Sequence, residues 1–396
     1  MLLGGLRYLL PVIDAAHQLG YYVITCDYLP DNIAHKYSDE YCNVSIVDKD
    51  AVLAVAKEKQ IDGIMSFAVD PGVVTAAYVA EKMGLPQAGP YESVCILQNK
   101  DRFRKFLADN GFNVPKAQGY TEINDAEKEL EGYHFPIIVK PVDSAGSKGV
   151  TRVDVKSGFK SAFEYAKNHS FSGRVIVEEF IEKQGCSSDS DCFSVDGKLK
   201  FVSFSAQRFD ENAPNPYTPA AFSWPSTFSE EQEAELTYEL QRLLTLLGMK
   251  TSIYNVETRK GIDGKPYIME VSPRGGGNRL AEMVRFATGV DLITNAVRAA
   301  VGDSVTDVEQ KPYNGHWAEL VLHTQKDGRF VMLDIDKDFY SEYVRQVDLW
   351  VKEGDYVSSF KGANDAIGTL VLNFGSDIQL EKALVIYNNY LQIKIN

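Results

Sequence analysis

Short apolar runs alternate with helical patterns over the first hundred residues. The runs predict strands over 1–5, 21–26, 43–47 and 61–67, with helices over 7–19, 50–59 and 72–83. Alternation of this kind is typical of a parallel sheet with helices on both faces. Gly4-Gly5 and Asp27 suggest a dinucleotide-binding turn, but GGLRYL lacks the GxGxxG spacing. A tight turn at a strand end is therefore the better interpretation.

The pattern changes after Pro115, where β-branched runs become frequent. These runs predict strands over 135–140, 150–155 and 175–180. Helical periodicity predicts helices over 99–110, 124–131, 158–168, 230–247 and 282–300. The Asp-Gly pairs at 196–197 and 263–264 predict hairpin turns. From 306 onward the chain is mainly strands and glycine turns. The Pro-rich segment 213–225 is predicted as a long loop, and loops of that length are often functional lids.

Composition narrows the classes of partner. The 396 residues carry 41 Lys and Arg against 55 Asp and Glu, a formal charge of −14. This charge disfavours a nucleic-acid surface but leaves room for a small anion in a pocket. The five cysteines are odd in number and form no CxxC, which favours reduced thiols in a cytoplasmic protein. Apolar runs are too short to span a membrane, so no membrane partner is predicted.

The second hairpin opposes two acids. With a two-residue turn at 263–264, Glu257 faces Glu270, and Asn255 faces Ser272 on the same side. Opposed carboxylates repel each other, and the residues around them are apolar. A cation between them would explain the pair, and hard oxygen ligands favour Mg²⁺, with Mn²⁺ as a second candidate. The alternative is a solvated edge hairpin with a weakly repulsive pair.

A small-residue loop lies between two predicted strands at 141–149. Gly146 and Gly149 allow backbone N–H groups to approach an anion, Ser147 adds a hydroxyl, and Lys140 ends the preceding strand. The loop lacks the Walker spacing and opens no helix. It predicts either a phosphate-binding loop or a flexible surface hairpin.

Several motifs occur in a specific order. They are Asn99-Lys100-Asp101, IIVKP at 137–141, DSAGSKGV at 143–150, VEEFIE at 177–182, Asn255-Val256-Glu257, and MEVSPR at 269–274. Together they resemble the ATP-grasp superfamily, in the branch of biotin carboxylase, carbamoyl-phosphate synthetase, L-amino-acid ligases and phosphoribosylglycinamide synthetase. The likeness extends over roughly residues 1–305, and 306–396 resemble the C-terminal lobe of these ligases more loosely.

The resemblance implies a multidomain α/β and α+β fold. An α/β domain with a parallel sheet would occupy 1–98 and precede the grasp. A two-lobed ATP-grasp domain would occupy 99–305, with lobes of about 99–175 and 176–305. A β-rich C-terminal lobe would occupy 306–396.

The resemblance also implies ATP and Mg²⁺ as cofactors and assigns residues to them. Lys100 and Lys140 match the lysines that hold the ATP phosphates, and the loop over the phosphates contains Gly146, Ser147, Lys148 and Gly149. Glu178 matches the carboxylate near the adenine amine, and the adjoining cofactor-binding segment is Glu179, Phe180 and Ile181. The ribose-binding acid would be Asp189 or Asp191.

The reaction centre follows from the same resemblance. Glu257 and Glu270 match the magnesium-bridging pair, with Ser272 as a third ligand where the family often has Asn. Arg274 matches the arginine that stabilises the transferred phosphoryl group. Lys140 and Asn278 complete the catalytic set.

These assignments predict an ATP-dependent carboxylate–amine ligase that works through an acyl phosphate. Its partners would be small-molecule carboxylates and amines, with a homodimer as the candidate assembly. The alternatives are a bicarbonate-activating carboxylase, a purine-pathway ligase of the phosphoribosylglycinamide synthetase type, and a nucleotide-binding module without catalysis. Arg208 and Arg285 are either carboxylate anchors or surface salt bridges.

Overall fold

The computed structural model describes residues 1–144, 146, 148–385 and 387–396. The N-terminal sheet is parallel, in the order β3-β2-β1-β4. Its elements are β1 (Leu2–Leu3), α1 (Leu10–Gln18), β2 (Ile24–Asp27), β3 (Glu40–Asn43), α2 (Lys49–Glu58), β4 (Met65–Ser66) and α3 (Val73–Met83). Fully buried Leu3, Cys26, Val52 and Val79 form part of its core. The predicted α/β sheet is confirmed, with its third strand at 40–43 instead of 43–47.

The next segment builds an antiparallel sheet in the order β5-β8-β6-β7. Its elements are α4 (Tyr91–Gln98), α5 (Lys100–Asp109), β5 (Ala117–Tyr120), α6 (Ile123–Glu129), β6 (Ile137–Pro141), β7 (Thr151–Val153), α7 (Phe159–Asn168) and β8 (Val175–Glu179). The Asn99 side chain caps α5 by accepting a hydrogen bond from the N–H of Arg102. Because β8 pairs with β5 and β6, the last residue of this sheet along the chain is Glu179.

A second antiparallel sheet has the order β10-β9-β13-β14. The elements along this stretch are β9 (Ser188–Val195), β10 (Lys198–Phe201), β11 (Ala206–Phe209), β12 (Pro219–Trp224), α8 (Glu230–Leu246), β13 (Ser252–Lys260), β14 (Pro266–Ser272), α9 (Leu280–Thr288) and α10 (Leu292–Val301). The single helix predicted over 282–300 is wrong. Gly289 ends α9 with a φ of +77°, a conformation that glycine adopts without strain, and α10 begins afresh.

The C-terminal region forms two more sheets. Its elements are β15 (His316–Leu322), β16 (Gly328–Ile335), α11 (Lys337–Tyr343), β17 (Val344–Leu349), β18 (Tyr356–Val357), β19 (Gly368–Phe374), α12 (Asp377–Val385) and β20 (Leu391–Ile395). The sheet orders are β11-β12-β15-β19-β17 and β18-β16-β20. The loop predicted over 213–225 is thus partly wrong, because 219–224 form β12 and pair with β15. In the described part of the chain, no helix is long and apolar enough to cross a membrane.

Candidate active site

One face of the second sheet carries a row of acids and amides. Glu257 pairs with Glu270 on one side and with Asp189 on the other, and Asn255 pairs with Ser272 and Asp191 in the same way. Residues two apart on a strand share a face, so these six side chains lie together. The predicted pairs Glu257–Glu270 and Asn255–Ser272 are confirmed.

The turn that led to this register has a different shape from the predicted one. The loop has three residues, since Gly261 N–H donates to Lys265 O at 3.0 Å and Gly264 N–H donates to Gly261 O at 2.9 Å. Beyond the turn the register shifts once, between Glu257 and Thr258, and Met269 is the extra residue. This β-bulge restores the predicted pairing of the acids, and the released Met269 carbonyl accepts a hydrogen bond from Arg104 at 2.8 Å.

The opposed carboxylates have few partners. Lys100 Nζ lies 3.6 Å from Glu270, and an Arg259 nitrogen lies 3.8 Å from Glu257. Within the described residues neither carboxylate accepts a hydrogen bond. Burial raises the pKa of Glu257, the guanidinium of Arg259 opposes this, and the charge of Glu270 adds to the increase. Two opposed carboxylates that accept no hydrogen bond from a described residue fit Mg²⁺ held between them.

No cluster of three or more His, Cys, Asp or Glu in the described chain is arranged to hold a metal. Mg²⁺ is commonly bound by one or two carboxylates, with water and substrate phosphate oxygens completing the shell. The predicted third ligand, Ser272, uses its hydroxyl differently: it donates to Asp70 at 3.0 Å and accepts from Gln98 at 2.8 Å.

Asp189 and Asp191 lie beside these acids and not at the linker that follows β8. The Asn255 amide bridges them, at 2.7 Å from Asp189 and 3.3 Å from Asp191. Asp191 also accepts the N–H of Gly276, at 2.9 and 3.1 Å to its two oxygens. Burial raises the pKa of Asp189 to about 8 and that of Asp191 to about 7. A ribose contact for either acid stays a prediction.

Glu178 is the centre of a buried ion cluster. Its two oxygens accept hydrogen bonds from Lys140 and, at 3.0 Å, from Arg104. Although burial acts to raise it, the pKa of Glu178 is lowered to about 2 by these two cations. Burial lowers the pKa of Lys140. Lys140 is thus paired with a buried carboxylate, and its side chain is 13% exposed.

The linker after β8 makes its own contacts. Glu179 accepts from the His134 N–H and ring nitrogen at 2.9 Å each, and its backbone N–H donates to Lys116 O. Ile181 O accepts from Arg259 at 3.1 Å. Arg259 also lies over the ring of Phe180, at 5.7 Å.

The small-residue loop joins β6 to β7, as predicted. Gly146 and Lys148 are exposed, whereas Gly149 is buried with a φ of +73°. A Cβ at Gly149 would lie 2.8 Å from Pro141. Ser147 lies outside the described residues. Lys100 Nζ reaches the start of this loop by donating to Ser144 O at 3.0 Å.

Arg274 connects two parts of the molecule. Its guanidinium makes a two-point contact with Asp70, which lies between β4 and α3 of the N-terminal sheet region, at 2.9 and 2.7 Å. Although burial acts to raise it, the pKa of Asp70 is lowered by Arg274. Nearby, Ala68 N–H donates to Gly275 O at 2.9 Å, and a Cβ at Gly275 would lie 2.2 Å from the Phe67 ring.

Two functional candidates were missed from the sequence. Asp70 and Arg104 are distant in sequence from the residues they hold, 204 residues for Asp70–Arg274 and 74 for Arg104–Glu178. Arg104 belongs to a helix with several basic residues, and the sequence does not show which of them is buried. Asp70 is not part of any recognised motif. The two proposed anchors form ion pairs, Arg208 with Glu381 and Arg285 with Asp291 at 3.6 Å.

Comparison with known proteins supports the fold. Residues 133–282 match the family model for the ATP-grasp domain. The carbamoyl phosphate synthase large chain of Pseudothermotoga lettingae is 25% identical over 300 residues, which are 74% of this chain and 26% of that protein. The chain thus spans about a quarter of the length of such relatives.

Solved structures match over the whole chain. An L-amino acid ligase from Bacillus licheniformis superposes with a TM-score of 0.83 at 20% identity, covering 100% of this chain and 98% of that one. The biotin carboxylase domain of a Hydrogenobacter thermophilus 2-oxoglutarate carboxylase, solved with MgADP and bicarbonate, gives 0.74 at 16% identity, covering 100% and 90%. Residues 133–282 are therefore an ATP-grasp domain, within a chain that has the fold of ATP-grasp ligases.

Proposed function

We propose that this chain is an ATP- and Mg²⁺-dependent carboxylate–amine ligase. The observation that carries the proposal is the direct opposition of Glu257 and Glu270, with Lys100 at 3.6 Å from Glu270. Although burial acts to lower it, the pKa of Arg274 is raised by Asp70, and the charge of Glu270 adds to the increase. Acids for a metal and cations for phosphates then lie close together, as phosphoryl transfer requires.

The cations have distinct proposed tasks. Lys100 and Lys140 bind ATP phosphates, assisted by the loop containing Gly146, Ser147, Lys148 and Gly149. Arg274, held rigidly by Asp70, stabilises charge on the transferred phosphoryl group, because fixed charges cost no reorganisation during the reaction. Mg²⁺ held by Glu257 and Glu270 would neutralise phosphate charge.

The proposed reaction has two steps. A substrate carboxylate oxygen attacks the γ-phosphorus of ATP, the bond to ADP breaks, and an acyl phosphate forms. The amine nitrogen then attacks the acyl carbon, phosphate leaves, the nitrogen loses a proton, and an amide results. The glycine run 275–277 and Asn278 adjoin Arg274, so we place the acyl group there.

The neighbours support the cofactors and the class of substrate. The biotin carboxylase domain named above holds MgADP, and it is described as a dimer. We extend Mg²⁺ and adenine nucleotide to this chain, with small-molecule substrates, a cytoplasmic location and a homodimer as the assembly. The segment 178–181 is the proposed adenine site.

Trapping with hydroxylamine tests the proposal, because hydroxylamine converts an acyl phosphate into a hydroxamate, which forms a coloured complex with ferric ion. Protein, Mg-ATP and pools of amino acids or other carboxylates should give hydroxamate and ADP in equal amounts. Stimulation by bicarbonate alone would favour the carboxylase alternative. ATP binding with no hydroxamate and no phosphate release from any pool would contradict the ligase and leave a binding module.

Replacing one metal carboxylate gives a sharper test. Glu270→Gln keeps the shape and removes the charge, so turnover should fall by about 10³-fold or more. Glu353→Gln, at an exposed acid in the C-terminal region, is the matched control and should keep wild-type turnover. Retained activity in Glu270→Gln would refute the metal assignment.

A further inference from the structure

Glu319 is a buried carboxylate without a partner. It is 0% exposed, and neither of its oxygens accepts a hydrogen bond from any described residue. It lies on β15, flanked by Phe222 and Val371 on the neighbouring strands, and both are fully buried. Leaving a carboxyl group unsatisfied in such surroundings costs free energy, so its retention calls for an explanation.

The nearest cation does not supply the missing contact. Arg279 donates to Glu282 at 3.1 and 3.0 Å, to Thr369 at 3.2 Å and to Gln346 at 2.8 Å. No described Lys, Arg or His nitrogen lies within 4.0 Å of Glu319. Burial raises the pKa of Glu319 well above its usual range, with Arg279 opposing the increase. The carboxyl group is therefore poised to ionise when a cation reaches it.

Tyr8 and Asn278 connect Glu319 to the reaction centre. Tyr8 donates a hydrogen bond to Asn278 Oδ1 at 3.3 Å, and its ring lies 3.9 Å from where a Cβ of Gly277 would be. Phe222 and Val371, which flank Glu319, belong to the same buried cluster as Leu280, two residues after Asn278. Burial raises the pKa of Tyr8, and the charge of Glu319 adds to this increase. Asn278 has a φ of +48°, a strained conformation that is common at functional sites.

The groups that face Tyr8 and Glu319 are mostly acceptors. Asp348 also contributes to the raised pKa of Tyr8, while the charge of Arg279 lowers it. Glu282 adds a further negative charge near Glu319. The cluster draws on the N-terminal domain, the grasp and the C-terminal sheet, so it forms only when all three are assembled.

We propose that Glu319, with Tyr8 and Asn278, is a binding site for a primary ammonium group, that of the amine substrate. This rests on the proposed function and deepens it. An ammonium group supplies hydrogen-bond donors to both orphaned oxygens and pairs their charge. Before the nitrogen attacks the acyl carbon, the ammonium group would give a proton to the Glu319 carboxylate, because only the free amine has the lone pair that forms the new bond.

The experiment compares two nucleophiles in the same enzyme. Hydroxylamine is largely uncharged at mildly alkaline pH and needs no ammonium site, whereas the twenty L-amino acids and ammonium chloride present ammonium groups. Glu319→Gln should keep hydroxamate formation within about twofold of wild type. It should raise the KM for the best amine by about tenfold to a hundredfold, the usual loss for a hydrogen bond to a charged group.

Thermal unfolding separates this role from a structural one. Removing a carboxyl group that has no partner should leave the melting temperature of Glu319→Gln at or above that of wild type. A fall in melting temperature, with both reactions lost together, would overturn the proposal. Glu353→Gln is the control for both measurements.

The remaining outcomes are equally decisive. An unchanged amine KM in Glu319→Gln would refute the ammonium site. The ammonium site would also be refuted if the wild-type protein formed hydroxamate but used no amine of the pool. The ligase proposal would survive that result. Absence of hydroxamate with every carboxylate pool would instead reject the proposed function itself.

Discussion

A single carboxylate, Glu178, holds two cations away from solvent. The sequence resemblance assigns Glu178 to the adenine amine, but both its oxygens accept hydrogen bonds from Lys140 and Arg104. Sequence reasoning could single out Lys140 because it ends a predicted strand in an apolar run, whereas Glu178 is identified only through the family resemblance. Sequence reasoning could not find Arg104, because choosing among the cations of α5 requires knowing which face of the helix meets β8.

The acid dependence of stability should reveal this cluster. The pKa of Glu178 falls from 4.5 to about 2 in the folded protein, so the charged form stabilises the fold above pH 4.5. That contribution, about 3 kcal/mol, should be lost as the pH falls from 4.5 toward 2. Denaturant unfolding of wild type and Glu178→Gln across this range measures it.

In Glu178→Gln the free energy of unfolding should therefore change less between pH 4.5 and 2 than it does in wild type. Glu182→Gln, at an exposed acid a few residues along the chain, is the control and should follow wild type. Parallel profiles for wild type and Glu178→Gln would contradict the assigned pKa.

At the scale of elements, one dipeptide closes two hairpins in different ways. Asp196-Gly197 forms the predicted two-residue turn, with φ of +50° and +76°. Asp263-Gly264 belongs to a three-residue loop, and the bulge at Met269 compensates for it. The predicted pairing of the acids is counted from a two-residue turn, and it is correct because the bulge compensates for the longer loop. The sequence does not predict the loop, since Asp-Gly suits both turn types.

The second loop makes a specific demand on Gly264. Its φ is +80°, and a Cβ there would meet no described atom within 4 Å, so the backbone conformation alone determines the cost. Gly264→Ala should lower the free energy of unfolding by about 1 kcal/mol. Urea unfolding measures the difference.

Gly158 provides the matched control. Its φ is −82°, and an added Cβ would make an ordinary contact at 3.5 Å with Val153. Gly158→Ala should therefore be as stable as wild type, within about 0.5 kcal/mol, or more stable. Equal losses in both variants would show that the left-handed conformation is not the cause.

At the scale of the whole molecule, the active site depends on contacts between distant parts of the chain. Local patterns predicted the parallel sheet, the two hairpins and the opposed acids. They did not predict that β11 and β12 join the C-terminal sheet, or that Asp70 meets Arg274, because such pairings leave no periodic signal. The charge of −14 likewise conceals a local concentration of cations around Lys100, Lys140 and Arg274.

The contact between Asp70 and Arg274 should matter for rate more than for nucleotide binding. Asp70→Asn keeps the size of the side chain but weakens its hold on the guanidinium. We expect kcat to fall by about tenfold to a hundredfold, as misplacement of a reacting group does, with the KM for ATP within about twofold of wild type. Steady-state kinetics with the substrates found by trapping measures both.

Asp50→Asn serves as the control, since Asp50 accepts a hydrogen bond from Tyr78 at the surface of the same domain. It should keep wild-type kcat. A change of KM alone in Asp70→Asn would show that Asp70 contributes to binding and does not position Arg274.

The pairing of β12 with β15 has a consequence for fragments of this chain. A fragment ending before β15 would keep β12 but lose the strand beside it. The backbone groups of β12 that pair with β15 would then have no partner. The side chains of Phe222 and Trp224, which are fully buried in the intact chain, would be open to other molecules. Such a fragment should aggregate through this edge, even though it contains every residue matched by the family model.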